Sequence, residues 1–219
     1  MKITLRVLTA ALLGLTLSTG WCQTPYTNLF PNINAAIPDG ALTGWSDTRT
    51  VDIPAVGVVS NLEVTLTIAG GFNGDLYASL THDSGFAVLL NRVGRTAANG
   101  AGYSDSGFTV TFGLGTLNDI HLYQGVSGPV SPLTGLWGPD GREVHPLSVL
   151  DTDPRTALLN SFVGLNPSGS WTLFLADVDG GGAQATLVDW GLIIMVPEPA
   201  TAGLMVLGFG VLILRRSRS

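Results

Sequence analysis

Apolar and polar residues alternate with a period of two along much of the chain. Leu62, Val64, Leu66 and Ile68 alternate with Glu63, Thr65 and Thr67, and Leu76, Ala78 and Leu80 with Tyr77, Ser79 and Thr81. Phe108, Val110 and Phe112 alternate with Thr109 and Thr111, and Trp171, Leu173 and Leu175 with Thr172, Phe174 and Ala176. A strand turns every second side chain to the same face, so each set predicts a strand with one buried side. Residues 186–195 are apolar on both faces, which predicts a strand lying centrally or beneath a neighbouring segment. No stretch between residues 23 and 195 sustains the 3.6-residue period of a helix. Glycine, asparagine and aspartate cluster between the strands, at Gly70-Gly71-Phe72-Asn73-Gly74, Asp83-Ser84-Gly85, Asn99-Gly100, Pro139-Asp140-Gly141 and Gly180-Gly181-Gly182. These residues suit turns, and short strands at this spacing predict an all-β antiparallel sandwich. One short helix is expected near residues 153–162, with Asp153 as its cap and Pro154 in its first turn.

The two ends follow a different pattern. Lys2 and Arg6 precede the apolar run 7–17, and small residues Ser18, Thr19 and Gly20 follow. This is the layout of a secretory signal over residues 1–22, with cleavage by signal peptidase after Gly20 or Cys22. Cys22 is the sole cysteine, so no intrachain disulfide can form and the core must hold without one. At the other end, Pro197-Glu198-Pro199 interrupts any regular element arriving from upstream. Residues 200–214 carry no charge, and Arg215, Arg216 and Arg218 close the chain. As a helix this run would reach about 22 Å, short of a ~30 Å hydrocarbon core, so it would insert with its arginines at the cytoplasmic interface.

Charge separates the ends from the body. The whole chain of 219 residues carries −6, but residues 23–195 hold five basic and fifteen acidic residues, a net charge of −10. The only lysine is Lys2. Such a body repels phosphate backbones, which argues against nucleic acid as a partner, and a lysine-dependent phosphate loop has no lysine to use.

Catalytic signatures are sparse. No serine stands in a Gly-x-Ser-x-Gly frame. His82, Asp83 and Ser84 are adjacent, but neighbours on a strand point to opposite faces, and a hairpin turn accounts for them. His82, His121 and His145 are dispersed, as scattered surface histidines are, and a zinc site lacks cysteine support. One candidate cation site is present in the sequence. Asp75 follows a glycine turn, Asp177 and Asp179 lie in one loop, and Asp189 begins the last strand; loops at one end of a sandwich can meet. Carboxylates with little lysine nearby suit Ca²⁺, while turn aspartates chosen for their backbone tolerance are the alternative. Trp45, Tyr103, Tyr123 and Trp137 are candidate sugar-stacking aromatics, with burial as the competing account.

Two resemblances rest on these residues. The order of the Pro197-Glu198-Pro199 box, the apolar run and Arg215, Arg216 and Arg218 resembles the PEP-CTERM sorting signal of Gram-negative bacteria, over residues 196–219. The resemblance implies processing by exosortase, transient anchoring in the inner membrane, and delivery to the cell surface or exopolysaccharide matrix. Within the body, Gly74-Asp75-Leu76, Gly169-Ser170-Trp171-Thr172-Leu173 and Asp189-Trp190-Gly191-Leu192 resemble the P domain, or Homo B domain, of proprotein convertases and bacterial subtilases. That resemblance covers residues 37–195 and implies a jelly-roll-like β-sandwich, with some members binding calcium. Residues 94–146 fit it poorly. The expected organisation is a signal helix (1–22), a lead-in (23–36), the sandwich (37–195) and a transmembrane sorting helix within 196–219. The expected function is non-catalytic binding or structural work, with exopolysaccharide as a candidate partner. The alternative is an accessory that stabilises or regulates a separate secreted subtilisin-like serine protease.

Overall fold

The computed structural model describes residues 23–54, 57–115 and 118–198. The signal segment, residues 199–219 and with them Pro199, Arg215, Arg216 and Arg218 lie outside these residues. Among the described residues no helix is long and apolar enough to cross a membrane.

Among the described residues ten strands form two sheets: β1 (Gln23–Phe30), β2 (Ala35–Ala36), β3 (Trp45–Val51), β4 (Asn61–Ala69), β5 (Leu76–His82), β6 (Gly85–Asn91), β7 (Phe108–Gly113), β8 (Leu133–Trp137), β9 (Gly169–Asp177) and β10 (Thr186–Pro197). The larger sheet runs β1-β10-β4-β7-β8, with β2 also on β10; the smaller runs β3-β9-β5-β6. Pairing is antiparallel except between β7 and β8. The chain is thus an all-β, two-sheet protein.

The core is where the alternation places it. Leu62, Val64, Leu66 and Ile68 of β4 are buried, as are Phe108, Val110 and Phe112 of β7. From the smaller sheet, Leu76, Ala78 and Leu80 meet Trp171, Leu173 and Leu175, and all join one cluster. Burial of each valine, leucine, isoleucine or phenylalanine among them contributes about 1.5–3 kcal/mol. β10 is flanked on both sides, by β1 from Gln23↔Pro197 to Phe30↔Trp190 and by β4 from Thr186↔Ala69 to Met195↔Asn61. Leu187, Trp190, Leu192, Ile194 and Val196 on one of its faces are buried in the core, and Val188, Ile193 and Met195 on the other are half-buried.

Several expectations change. Residues 23–30, expected as a lead-in, form an edge strand of the larger sheet. β10 continues through Val196 and Pro197, because a proline at a strand end loses only one ladder donor. Glu198 accepts a 3.3 Å hydrogen bond from Thr24 Oγ1. No helix spans residues 153–162; a 3₁₀ turn occupies Leu159–Phe162, and the Asp153 carboxylate instead accepts from the backbone N–H of Leu150, at 2.8 Å.

β10 fixes the long axis. It leaves the 178–185 loop at one pole and ends beside Gln23 at the other, roughly 35 Å away at ~3.3 Å per residue. Both ends of the described body therefore emerge together, opposite the loops at residues 39–41, 70–75, 101–105 and 178–185.

Candidate functional site

The loop pole is assembled by the pairing of β5 with β9. Their register sets Leu76 opposite Asp177, so Asp75 and Asp177 end up at the same height. The backbone N–H of Val178 donates to Asp75 O at 2.9 Å and that of Ala41 to Asp177 O at 2.8 Å, which draws residues 39–41 in. Gly74 allows the fourth loop to close: a Cβ there would stand 2.6 Å from Ala101 O and Tyr103 N. The result is a cleft of about 270 Å³ lined by Phe72, Asp75, Tyr103, Ser104, Asp179 and the glycines 180–182.

Arg92 lies beneath it. The residue adopts a left-handed φ of +48°, which costs a non-glycine residue roughly 1–2 kcal/mol. Its Nε donates to Gly74 O at 2.9 Å, and its Nη2 to Asp179 Oδ2 at 3.0 Å and Asp75 Oδ1 at 3.4 Å. The guanidinium is nearly enclosed, while the Asp179 side chain is 57% exposed. Burial raises the Asp75 pKa; Arg92 opposes this, and Asp179 and Asp39 add to it. Burial raises Asp177 to about 6, helped by the charges of Asp75 and Asp39. Asp177 Oδ1 is buried and has no hydrogen-bond partner among the described residues.

Of the four expected carboxylates, three gather here. Asp189 does not: it stands opposite Thr67 inside β10, just past an irregularity in the register. Exposed Asp39 takes its place, accepting from Gly181 N–H at 3.3 Å. Among the described residues no three His, Cys, Asp or Glu side chains are arranged to hold a metal ion. Arg92 provides a positive charge between Asp75 and Asp179.

The histidines also differ from expectation, for two of the three are buried. His82 closes the β5–β6 hairpin, where His82 pairs with Gly85 and Asp83 turns at φ +50°. Its ring stacks on Trp171 at 4.0 Å and faces Ser170 O and Asn166 O at 2.9 and 2.7 Å. His121 and Asp140 have no exposed side-chain surface, with Nδ1 and Oδ2 2.7 Å apart. His121 Nε2 faces Arg95 O at 2.9 Å. Since a carbonyl only accepts, that nitrogen is committed to the backbone and is not offered to a substrate. Arg142 ties the pair to Asp119, at 3.2 Å from Asp140 Oδ1 and 2.9 Å from Asp119 Oδ2. Both histidines thus brace loops. Their partners are 19 or more residues away, so adjacent sequence held no signal for them.

Among the aromatic candidates, Tyr123 and Trp137 are core residues. Trp45 and Tyr103 are half-buried against the core, and Tyr103 alone of the four lines the cleft.

No protein-family model matches the sequence, and no curated protein is similar to it. Solved structures with a similar course of chain include the serine protease of Aeromonas sobria, in complex with its chaperone ORF2 and by itself. The first matches at 16% identity and a TM-score of 0.45, over 81% of this chain and 28% of that one. The second matches at 16% identity and 0.44, over 80% and 27%. The chain therefore spans a little over a quarter of the protease it is compared with.

Proposed function

We propose that this is a non-catalytic, exported binding or structural module: a jelly-roll-like β-sandwich sorted by exosortase to the cell surface or exopolysaccharide matrix of a Gram-negative bacterium. The observation that carries the binding reading is the division between closed and open chemistry. The His121–Asp140–Arg142 network is turned inward and occupied, and the open cleft offers carboxylates, aromatic rings and glycine backbone without a paired nucleophile and base. The sorting reading rests on the order of Pro197, Glu198, Pro199, the apolar run and Arg215, Arg216 and Arg218. It is compatible with both ends of the described body leaving from the pole opposite the cleft.

Affinity capture from culture supernatant tests the binding reading. Capture of polysaccharide or a surface protein supports the module; capture of a secreted serine protease supports the accessory role; turnover by the purified protein overturns both. For sorting, deletion of residues 199–219 leaves β10 whole and should release the body as soluble periplasmic protein. Surface delivery of the shortened chain would show that the tail is not the address.

A further inference from the structure

We propose that Asn99 is a site of spontaneous, one-way modification. Its side-chain amide is lost through attack by the backbone nitrogen of Gly100, leaving aspartate or isoaspartate in the loop beside the cleft. This goes beyond the binding reading and does not depend on it.

The chain contains two Asn-Gly steps, Asn73-Gly74 and Asn99-Gly100. Glycine has no Cβ, so the nitrogen after the asparagine is unshielded and the backbone can turn to bring it onto Cγ. The bond from Gly100 N to Asn99 Cγ forms as that nitrogen gives its proton to water, and negative charge collects on Oδ1. The Cγ–Nδ2 bond then breaks, and Nδ2 takes a proton from water and leaves as ammonia. Water opens the resulting cyclic imide at either carbonyl, giving aspartate or isoaspartate. The net change is amide plus water to carboxylic acid plus ammonia, with nothing oxidised or reduced.

The fold separates the two steps. At the first, the attacking nitrogen is occupied, for Gly74 N–H donates to Tyr103 O at 2.8 Å. A Cβ at Gly74 would stand 2.6 Å from Ala101 O, so the backbone has no room to turn. Asn73 is fully buried, and its Nδ2 donates to Gly107 O and Tyr123 Oη. Its Oδ1 has no donor among the described residues to steady the developing charge. At the second step each condition is reversed. Gly100 is exposed, and a Cβ there would meet nothing within 4 Å. Among the described residues its N–H donates no hydrogen bond. Asn99 is half-buried and its Oδ1 is not an enclosed atom, so solvent reaches the carbonyl.

The loop gives the change a structural effect. Asn99 Nδ2 donates to Gly102 O at 2.9 Å and to Gly94 O at 3.3 Å, which ties the loop across. A carboxylate only accepts, so both bonds are lost and its charge faces two carbonyl oxygens. Gly94 N–H also donates to His121 O at 2.7 Å, and Tyr103 N–H to Val93 O at 3.0 Å. Loss of the amide therefore loosens residues 94–103, including the Tyr103 wall of the cleft.

The test is peptide mapping by mass spectrometry of the purified full-length protein, aged at mildly alkaline pH with and without urea. In urea both Asn73 and Asn99 should convert to aspartate and isoaspartate. In the native protein Asn99 should convert while Asn73 stays intact. Gly100→Ala should slow the conversion of Asn99 roughly tenfold with an unchanged melting point, because the added methyl crowds the attacking nitrogen, meets no neighbour and sits on a backbone outside the left-handed region. Asn99→Asp should speed amide hydrogen exchange at Gly94 and Tyr103. Survival of Asn99 through native ageing that converts it in urea overturns the proposal, as does loss of Asn73 at an equal rate in the native protein. Unchanged exchange in Asn99→Asp overturns the structural effect.

Discussion

Trp190 Nε1 donates a 2.7 Å hydrogen bond to Asp47 Oδ2, joining β10 of one sheet to β3 of the other. Arg49 Nε donates to the same oxygen at 2.7 Å, its guanidinium sits over Phe30, and Phe30 packs on Trp190. One carboxylate thus closes the side of the sandwich where β1 and β3 are edge strands.

Loss of that carboxylate should be felt through the buried indole. Asp47→Ala leaves the Trp190 N–H without its partner, a loss of about 1–3 kcal/mol. Urea denaturation measures it, and the same substitution in a Trp190→Phe background should cost much less, since the shared bond is already gone. A loss below about 0.5 kcal/mol in the parent chain would show that water replaces Asp47 freely.

Stability should decline from pH 5 to pH 8. Burial pushes the His121 pKa down, but the hydrogen bond and charge of Asp140 push it up by more, so it stands raised. Charged His121 then contributes stability that is fully present below its unfolded value of about 6.5 and lost as pH rises through its folded value. Asp177, raised to about 6, acts in the same sense: its contribution is present below about 3.9 and lost as pH rises through about 6. Asp105 opposes them at the acid end. Burial raises it, but bonds from Gln124, Tyr123 and Val130 outweigh that and leave it lowered, so its contribution is lost as pH falls through its folded value. Thermal melts across pH 4–8 should show this decline, and Asp177→Asn should flatten its part below pH 7. A melting point that climbs from pH 5 to pH 8 would refute the assignment.

The end of β10 should be indispensable up to Val196. Ile194 and Val196 are buried and paired with Tyr26 and Thr24. A chain ending at Glu198 should keep full stability, whereas one ending at Ile193 should lose at least the ~2–5 kcal/mol that truncating a buried isoleucine costs. Denaturant midpoints of the two chains decide it; equal values would place the last residues of β10 outside the cooperative unit.

The strands that could be read from the sequence are those with one wet and one dry face. β4, β5, β7 and β9 alternate because each lies in a sheet with one side on the core. β1 and β3 give no such signal, because edge strands admit polar residues and, in β1, a proline at position 25. β6 is buried on both faces, with Val88 and Leu89 held by the backbone of residues 140, 141 and 157. Its short apolar run carried no period to read. The carboxylate group was legible in part. Asp177 and Asp179 are neighbours in sequence, and a turn before β5 brings Asp75 to them. Asp39 and Arg92 join through contacts spanning 142 and 87 residues, and no local pattern encodes such distances.

The pairing of both body ends at one pole has a mechanical consequence. Force applied between the two ends would peel β1 from β10 one pair at a time. Force applied between the C-terminal end and a partner held at the cleft runs along β10, perpendicular to its hydrogen bonds. That load must shear the ladders to β1 and β4 together. A protein tethered at one pole and gripped at the other would thus be a stiff link under tension, and a zipper only when its two ends are drawn apart.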